Sequence, residues 1–107
     1  MFDQLSMRVH DTAQAKRFWP EPEEVNDIFI AKQCMMIVSE VTEVMEAVRK
    51  SKGSEEITKE IADILIRTLD LYQGMYTYGY VDHSLDEMFK EKTEYNKTRP
   101  EKHGVRF

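Results

Sequence analysis

Apolar residues along this chain recur with a period near 3.6 rather than 2, the signature of helices with one buried face. Breaks in that pattern divide the chain into four segments. The first runs from about Asp3 to Trp19 and is closed by Pro20 and Pro22, which remove backbone donors and disfavour helix in the residues before them. The second runs from about Glu23 to Lys52 without Gly or Pro. Gly53 stands where a glycine that ends a helix belongs, and Ser54 is the expected N-cap of a third segment, about Glu55 to Tyr78, with Glu55 and Glu56 in its first turn. Gly79 should end that segment, while Gly74 weakens its last turns. Ser84 with Glu87 three residues on reads as a capping box opening the fourth segment, which stops before Pro100. An irregular tail is expected from Pro100 to Phe107. No strand pair or internal repeat is visible. The expected architecture is all-α: a four-helix bundle-like domain spanning residues 1–107, with two long central antiparallel helices.

On a helical wheel, Ile37, Val41, Val44, Met45 and Val48 form the apolar stripe of segment two. Glu40 falls roughly 40° from Val44, on the shoulder of that stripe, and Glu43 one step further round. Segment three repeats the arrangement in phase. Its stripe is Ile57, Ile61, Ile64, Leu65, Leu71 and Tyr72, with Glu60 on the shoulder and Asp63 one step beyond. Ala62, Ile66 and Leu69 make the back of segment three apolar too, so the helix should be largely buried. Its Glu60, Asp63 and Arg67 would then be costly unless each is paired or bound to a metal.

Side chains at i and i+3 on a helix are neighbours, so each acidic pair can grip a cation. If segments two and three pack antiparallel across the turn at Gly53, Glu40, Glu43, Glu60 and Asp63 converge with no thiolate or imidazole among them. An all-oxygen site suits a hard cation, Mg²⁺ or in its place Mn²⁺, that keeps waters and shares phosphate oxygens. A lone ExxE is ordinary helix surface; two such pairs, in phase beside apolar stripes, are not. In segment four, Lys92, Asn96 and Arg99 share one face, and Arg67 lies one turn beyond Asp63. By itself such a face is a solvated surface. Beside a carboxylate metal cluster it is what a triphosphate requires.

Charge and composition narrow the classes. Twenty acidic against fifteen basic residues give a net charge of −5, which disfavours a broad nucleic-acid-binding surface, so no nucleic-acid partner is expected. No apolar run approaches the ~18 residues of a membrane span, and the N-terminus lacks the blocks of a signal peptide. The expected location is therefore cytoplasmic, away from membranes. Cys34 cannot form an internal disulfide and, within AKQCMMIV, is expected to be a small buried residue.

Glu40-x-x-Glu43 followed by Glu60-x-x-Asp63, within IVSEVTEVMEAVRKSKG and EEITKEIADILIRTLDL, resembles the paired motif of the MazG-like nucleotide pyrophosphohydrolases, of the all-α NTP pyrophosphatase superfamily. VHDTAQAKRFW resembles the first helix of short members, and EYNKTRPEKHG their C-terminal segment. The resemblance implies a helical fold assembling as a dimer or tetramer, with Mg²⁺ on Glu40, Glu43, Glu60 and Asp63. It implies a nucleoside triphosphate substrate, dNTPs foremost, with water attacking the α-phosphorus to release pyrophosphate and leave the monophosphate. By the same carry-over Lys92, Asn96 and Arg99 contact phosphates, and His10 and Trp19 lie in stretches that approach the base. The chain lacks the second domain of the long tandem members. Glu43 is the first choice for a general base, and Arg67 joins Lys92 in holding the departing pyrophosphate.

Two other classes compete. A di-iron bundle would need Glu-x-x-His on two helices, whereas His10, His83 and His103 lie outside both acidic motifs. A non-enzymatic helical oligomerisation module would account for segment three, apolar all round, but not for the acidic pairs beside its buried surface.

Overall fold

A computed structural model describes residues 1–100; the tail expected beyond Pro100 lies outside them. The order is α1 (Phe2–Ala15), a 3₁₀ turn (Pro22–Glu24), α2 (Asp27–Arg49), α3 (Ser54–Thr77) and α4 (Leu85–Thr98), with no strand among the described residues. All-α architecture is thus observed. No helix among them is long and apolar enough to cross a membrane.

The ends of these helices follow from local chemistry. After α1, Arg17 turns into the left-handed region at φ 59°, and its N–H and that of Phe18 satisfy the carbonyls of Gln14 and Ala13. This closing motif stops α1 at Ala15, four residues before the expected Trp19. The same motif closes α2. Here Ser51, not Gly53, takes the left-handed position at φ 54°, and Ser51 and Lys52 donate to Val48 and Ala47. Gly53, at φ 91°, instead becomes the N-cap of α3 with no side-chain cap, and Ser54 is the first helical residue rather than the cap. Gly79 ends α3 as expected, in the left-handed position at φ 83°. The start of α2 also moves. Pro22 fits only the first position of a short turn, and Asn26 caps a fresh helix by accepting from the N–H of Phe29. Ser84 caps α4 by accepting from the N–H of Glu87, as its sequence proposes.

α3 is the central element, packed antiparallel against α2 and also against α1, while α4 docks on α1. The α1–α4 junction is a reciprocal cap. Asp86 accepts from the N–H groups of Phe2 and Asp3 and from the Met1 ammonium, and Asp3 accepts from Leu85 and Asp86. Each helix thereby supplies the carboxylate that the other's N-terminus needs. The Met1 ammonium, foremost, holds the Asp86 carboxyl below the usual range. Phe2 and Phe89 meet edge to face beside it.

The core is small and lies toward the C-terminal end of α3. Ala13, Trp19 and Ile30 are buried there, backed by Val25, Phe29, Leu71, Met75 and Tyr78. Trp19 packs directly over Gly74, where even a Cβ would overlap its ring. Gly74 is therefore a seat for Trp19 rather than a weak point in the helix.

The expected stripes are buried on one edge only. Ile37 and Val44 of α2, and Ile57, Ile64, Leu71 and Tyr72 of α3, are half-buried. Val41, Met45 and Val48 of α2, and Ile61, Leu65 and Ile66 of α3, are exposed in the single chain. Two elements sharing a narrow seam cannot cover stripes this wide. α3 is accordingly less buried than its composition implies. Cys34 is exposed, not buried, because it lies on the same uncovered side of α2 as Met35 and Val38.

Candidate functional site

The antiparallel seam brings the acidic pairs together. Glu40 of α2 and Glu60 and Asp63 of α3 each offer a carboxylate oxygen, all within 4.8 Å of one another. Glu43 is exposed beside them, and the neighbouring Glu60 and Glu40 carboxylates hold its carboxyl above the usual range. A like charge next door disfavours ionisation, so the shift reports crowding of negative charge.

Arg67 Nε donates to Glu40 Oε1 at 2.7 Å, giving the least exposed carboxylate of the group an ionic partner; the Glu40 side chain is 12% exposed. Glu40 Oε2 and Glu60 Oε2 are buried with no partner at all. Buried carboxylate oxygens are costly when unsatisfied, and two of them on different helices, within one carboxylate cluster, are donors a cation could satisfy. The residues therefore fit a divalent metal, and an all-oxygen donor set suits a hard one.

A cleft of about 300 Å³ runs from Glu40 and Asp63 past Arg67 and Ile66 to Asp70, walled on the other side by Val9, Thr12, Ala13 and Phe18. Of the other residues singled out from sequence, His10 and Trp19 are held in the interior. The His10 ring is 3% exposed with Nδ1 2.7 Å from Asp70 Oδ1, and Trp19, 6% exposed, donates Nε1–H to both oxygens of Asp70. Trp19 also meets His10 and Phe29 edge to face and stacks on Tyr78. Both residues border the cleft through Asp70 rather than line it.

Lys92 and Asn96 lie on α4 and Arg99 is its extended C-cap; the Tyr95 ring centroid lies 6.0 Å from the Lys92 ammonium and 5.4 Å from the Arg99 guanidinium, which also donates to Asn96 Oδ1. None of them lines the carboxylate cleft of its own chain, since α4 leans on α1. Asp70 is the residue sequence reasoning passed over. Its signal was available: it follows Asp63 by seven and Arg67 by three on a mostly apolar helix, where an acid needs a partner.

The geometry defines a class: a helical protein whose two central helices present a carboxylate cluster fit for a divalent cation. Residues 31–102 match the MazG nucleotide pyrophosphohydrolase domain, and the chain belongs to that family. No curated protein and no solved structure matches it. Family membership suggests a nucleotide pyrophosphohydrolase acting on a nucleoside triphosphate.

Proposed function

We propose that this chain, as a single domain, is a Mg²⁺-dependent pyrophosphohydrolase that converts a nucleoside triphosphate, with dNTPs preferred, and water into the monophosphate and pyrophosphate. The observation that carries this reading is the cluster of Glu40, Glu60 and Asp63, in which Glu40 Oε2 and Glu60 Oε2 are buried without a partner. Glu40, Glu60 and Asp63, with Glu43 at their edge, would hold Mg²⁺, or Mn²⁺ in its place. When bound, that cation would polarise the α-phosphoryl group and lower the pKa of a water.

The chain's own groups supply the rest. Glu43 is the proposed base: its carboxyl already favours the proton because Glu60 and Glu40 crowd it, and it is open to solvent on the metal side. Arg67 orients Glu40 through the bond at Oε1 while standing in the cleft as a cation for phosphate. Lys92, Asn96 and Arg99 are the proposed phosphate contacts. Because their helix leans away from the carboxylates, they would reach a site only across a subunit boundary. The exposed apolar residues on α2 and α3, Val41, Met45, Val48, Ile61 and Leu65, support assembly into a dimer or tetramer.

The test is to incubate the protein with canonical NTPs and dNTPs, with Mg²⁺ or EDTA, and to assay pyrophosphate and orthophosphate separately. Magnesium-dependent pyrophosphate with matching monophosphate is expected. Orthophosphate alone would refute attack at the α-phosphorus. The exposed apolar face also favours a second reading, a non-enzymatic oligomerisation module, which requires no change in melting temperature with Mg²⁺ plus nucleotide.

A further inference from the structure

Two aromatic residues follow one another after α1 and take opposite fates. Trp19 turns inward onto Gly74 and is pinned by both oxygens of Asp70. Phe18 turns outward and is 64% exposed. The turn is built rather than slack. Arg17 takes the left-handed conformation, which is unfavourable for a residue with a Cβ, and Phe18 N–H is fixed to the Ala13 carbonyl at 2.9 Å. A lone exposed apolar side chain needs no explanation. This one lies between two clefts.

Phe18, Arg67 and Asp70 line both the carboxylate cleft of about 300 Å³ and a second cleft of about 280 Å³, whose other walls are Lys32, Gln33 and Met36 of α2. The clefts therefore meet at Phe18. Their chemistry differs: acidic oxygens suited to a metal on one side, an ammonium, an amide and a thioether on the other. A nucleotide has the same division. Its phosphates need the metal end, and its base needs a flat apolar surface with a few polar groups at the edge.

Resting on the reading that the carboxylate cleft takes a nucleoside triphosphate, we propose that Phe18 is the platform on which the nucleobase stacks, with Gln33 and Lys32 meeting its edge. Gln33 is half-buried on α2 and offers both a donor and an acceptor, so it can discriminate between bases. Lys32 adds a donor. Asp70 does not compete for the base, because its oxygens already accept from His10 and Trp19. Its part is positioning: by holding Trp19 it sets where Phe18 projects.

The experiment measures calorimetric binding of the four non-hydrolysable α,β-imido dNTPs and of base-free imidotriphosphate, all with Mg²⁺, to wild type, Phe18→Ala, Phe18→Trp and Gln33→Glu. Stacking on one aromatic ring predicts that Phe18→Ala weakens the best-bound nucleotide about tenfold or more and leaves imidotriphosphate unchanged. Phe18→Trp should restore the affinity, and Gln33→Glu should reorder the four bases. Nucleotide affinity in Phe18→Ala equal to wild type would overturn the proposal, as would an equal loss for imidotriphosphate. Hydrolysis by wild type in a parallel assay separates the two levels. An active enzyme with an indifferent Phe18 refutes only the platform, and a wild type that neither binds nor cleaves any nucleotide refutes the function beneath it.

Discussion

Replacing Gly74 with alanine pits helix propensity against packing, and the two disagree in sign. Alanine is favoured over glycine inside a helix by about 0.5–1 kcal/mol, so propensity alone predicts a more stable protein. Packing predicts the reverse. A Cβ built on Gly74 falls within the Trp19 indole, against three ring carbons at once, and a rigid bicycle cannot fold away from it. Trp19 must shift or leave. A shift that keeps the ring indoors costs roughly 1–3 kcal/mol of overpacking and loosens the bonds from Nε1 to Asp70. Expulsion forfeits the contacts with Phe29 and Tyr78 and approaches the roughly 3–5 kcal/mol of a lost core tryptophan. After the propensity gain, a shifted ring leaves Gly74→Ala destabilised by about 1 kcal/mol on central values and an expelled one by about 3 kcal/mol, the first being roughly 4 °C in melting temperature for a chain of this size. Urea unfolding and thermal melts at one fixed protein concentration give the magnitude, and the emission of the single tryptophan reports its environment. A red shift should accompany the loss. A variant as stable as wild type with unchanged emission would show that Trp19 does not occupy this seat.

Three further outcomes are expected. Glu43 has a raised pKa in the folded chain, so in metal-free protein its contribution is favourable at low pH and is lost as pH rises from the ordinary carboxylate value through the raised one; Glu43→Gln should therefore gain melting temperature relative to wild type as pH rises above about 4 in EDTA, and a pH-independent difference would contradict the crowding. Asp70→Asn replaces the acceptor shared by His10 and Trp19 with a group that can satisfy only part of it, which should cost about 1–3 kcal/mol in urea unfolding; no change would mean that these hydrogen bonds are not formed in solution. Ser51→Gly relieves a left-handed residue with a Cβ at the end of α2 and should stabilise by roughly 0.5–1 kcal/mol by the same assay, whereas destabilisation would argue against that turn geometry.

The features legible in the sequence are those decided within a few residues. The Ser84 cap and the Gly79 terminus depend on local spacing, and each is found where spacing puts it; of the four in-phase acids, Glu40, Glu60 and Asp63 cluster and Glu43 stays exposed at their edge. The helices end at Ala15 and Arg49, short of the expected Trp19 and Lys52, because non-glycine residues, Arg17 and Ser51, take conformations that composition assigns to glycine. What spacing could not reveal is pairwise. Trp19 finds its seat at Gly74 and its acceptor at Asp70, more than fifty positions away, and no periodicity encodes that match. The Asp3–Asp86 exchange of caps, which directs α4 along α1, is of the same kind. A wheel shows that Lys92, Asn96 and Arg99 share a face of α4. It does not show which helix that face will meet. The apolar stripes were read correctly as stripes, but their width exceeds what one antiparallel neighbour covers, and a wheel carries no count of neighbours.

The inventory of carboxylate oxygens links the site to stability. Four acids across one seam repel, and Arg67 compensates only Glu40, through Oε1. The residual crowding is visible at Glu43, whose proton is held by Glu60 and Glu40. A cation entering between Glu40 Oε2 and Glu60 Oε2 would not need to displace Arg67, because neither oxygen has a partner to lose. It would instead join α2 to α3 at the point where they repel, and lower the pKa that crowding raises at Glu43. Metal binding, on the proposed reading, would then be one equilibrium with helix packing. At a hundredfold excess over Kd the linkage amounts to about 2.7 kcal/mol, several degrees of melting temperature. Glu60→Gln keeps the side-chain shape but removes a charge from the repelling set, so it should raise the melting temperature in EDTA while abolishing the rise produced by Mg²⁺. Stabilisation by Mg²⁺ that survives this substitution would place the cation elsewhere.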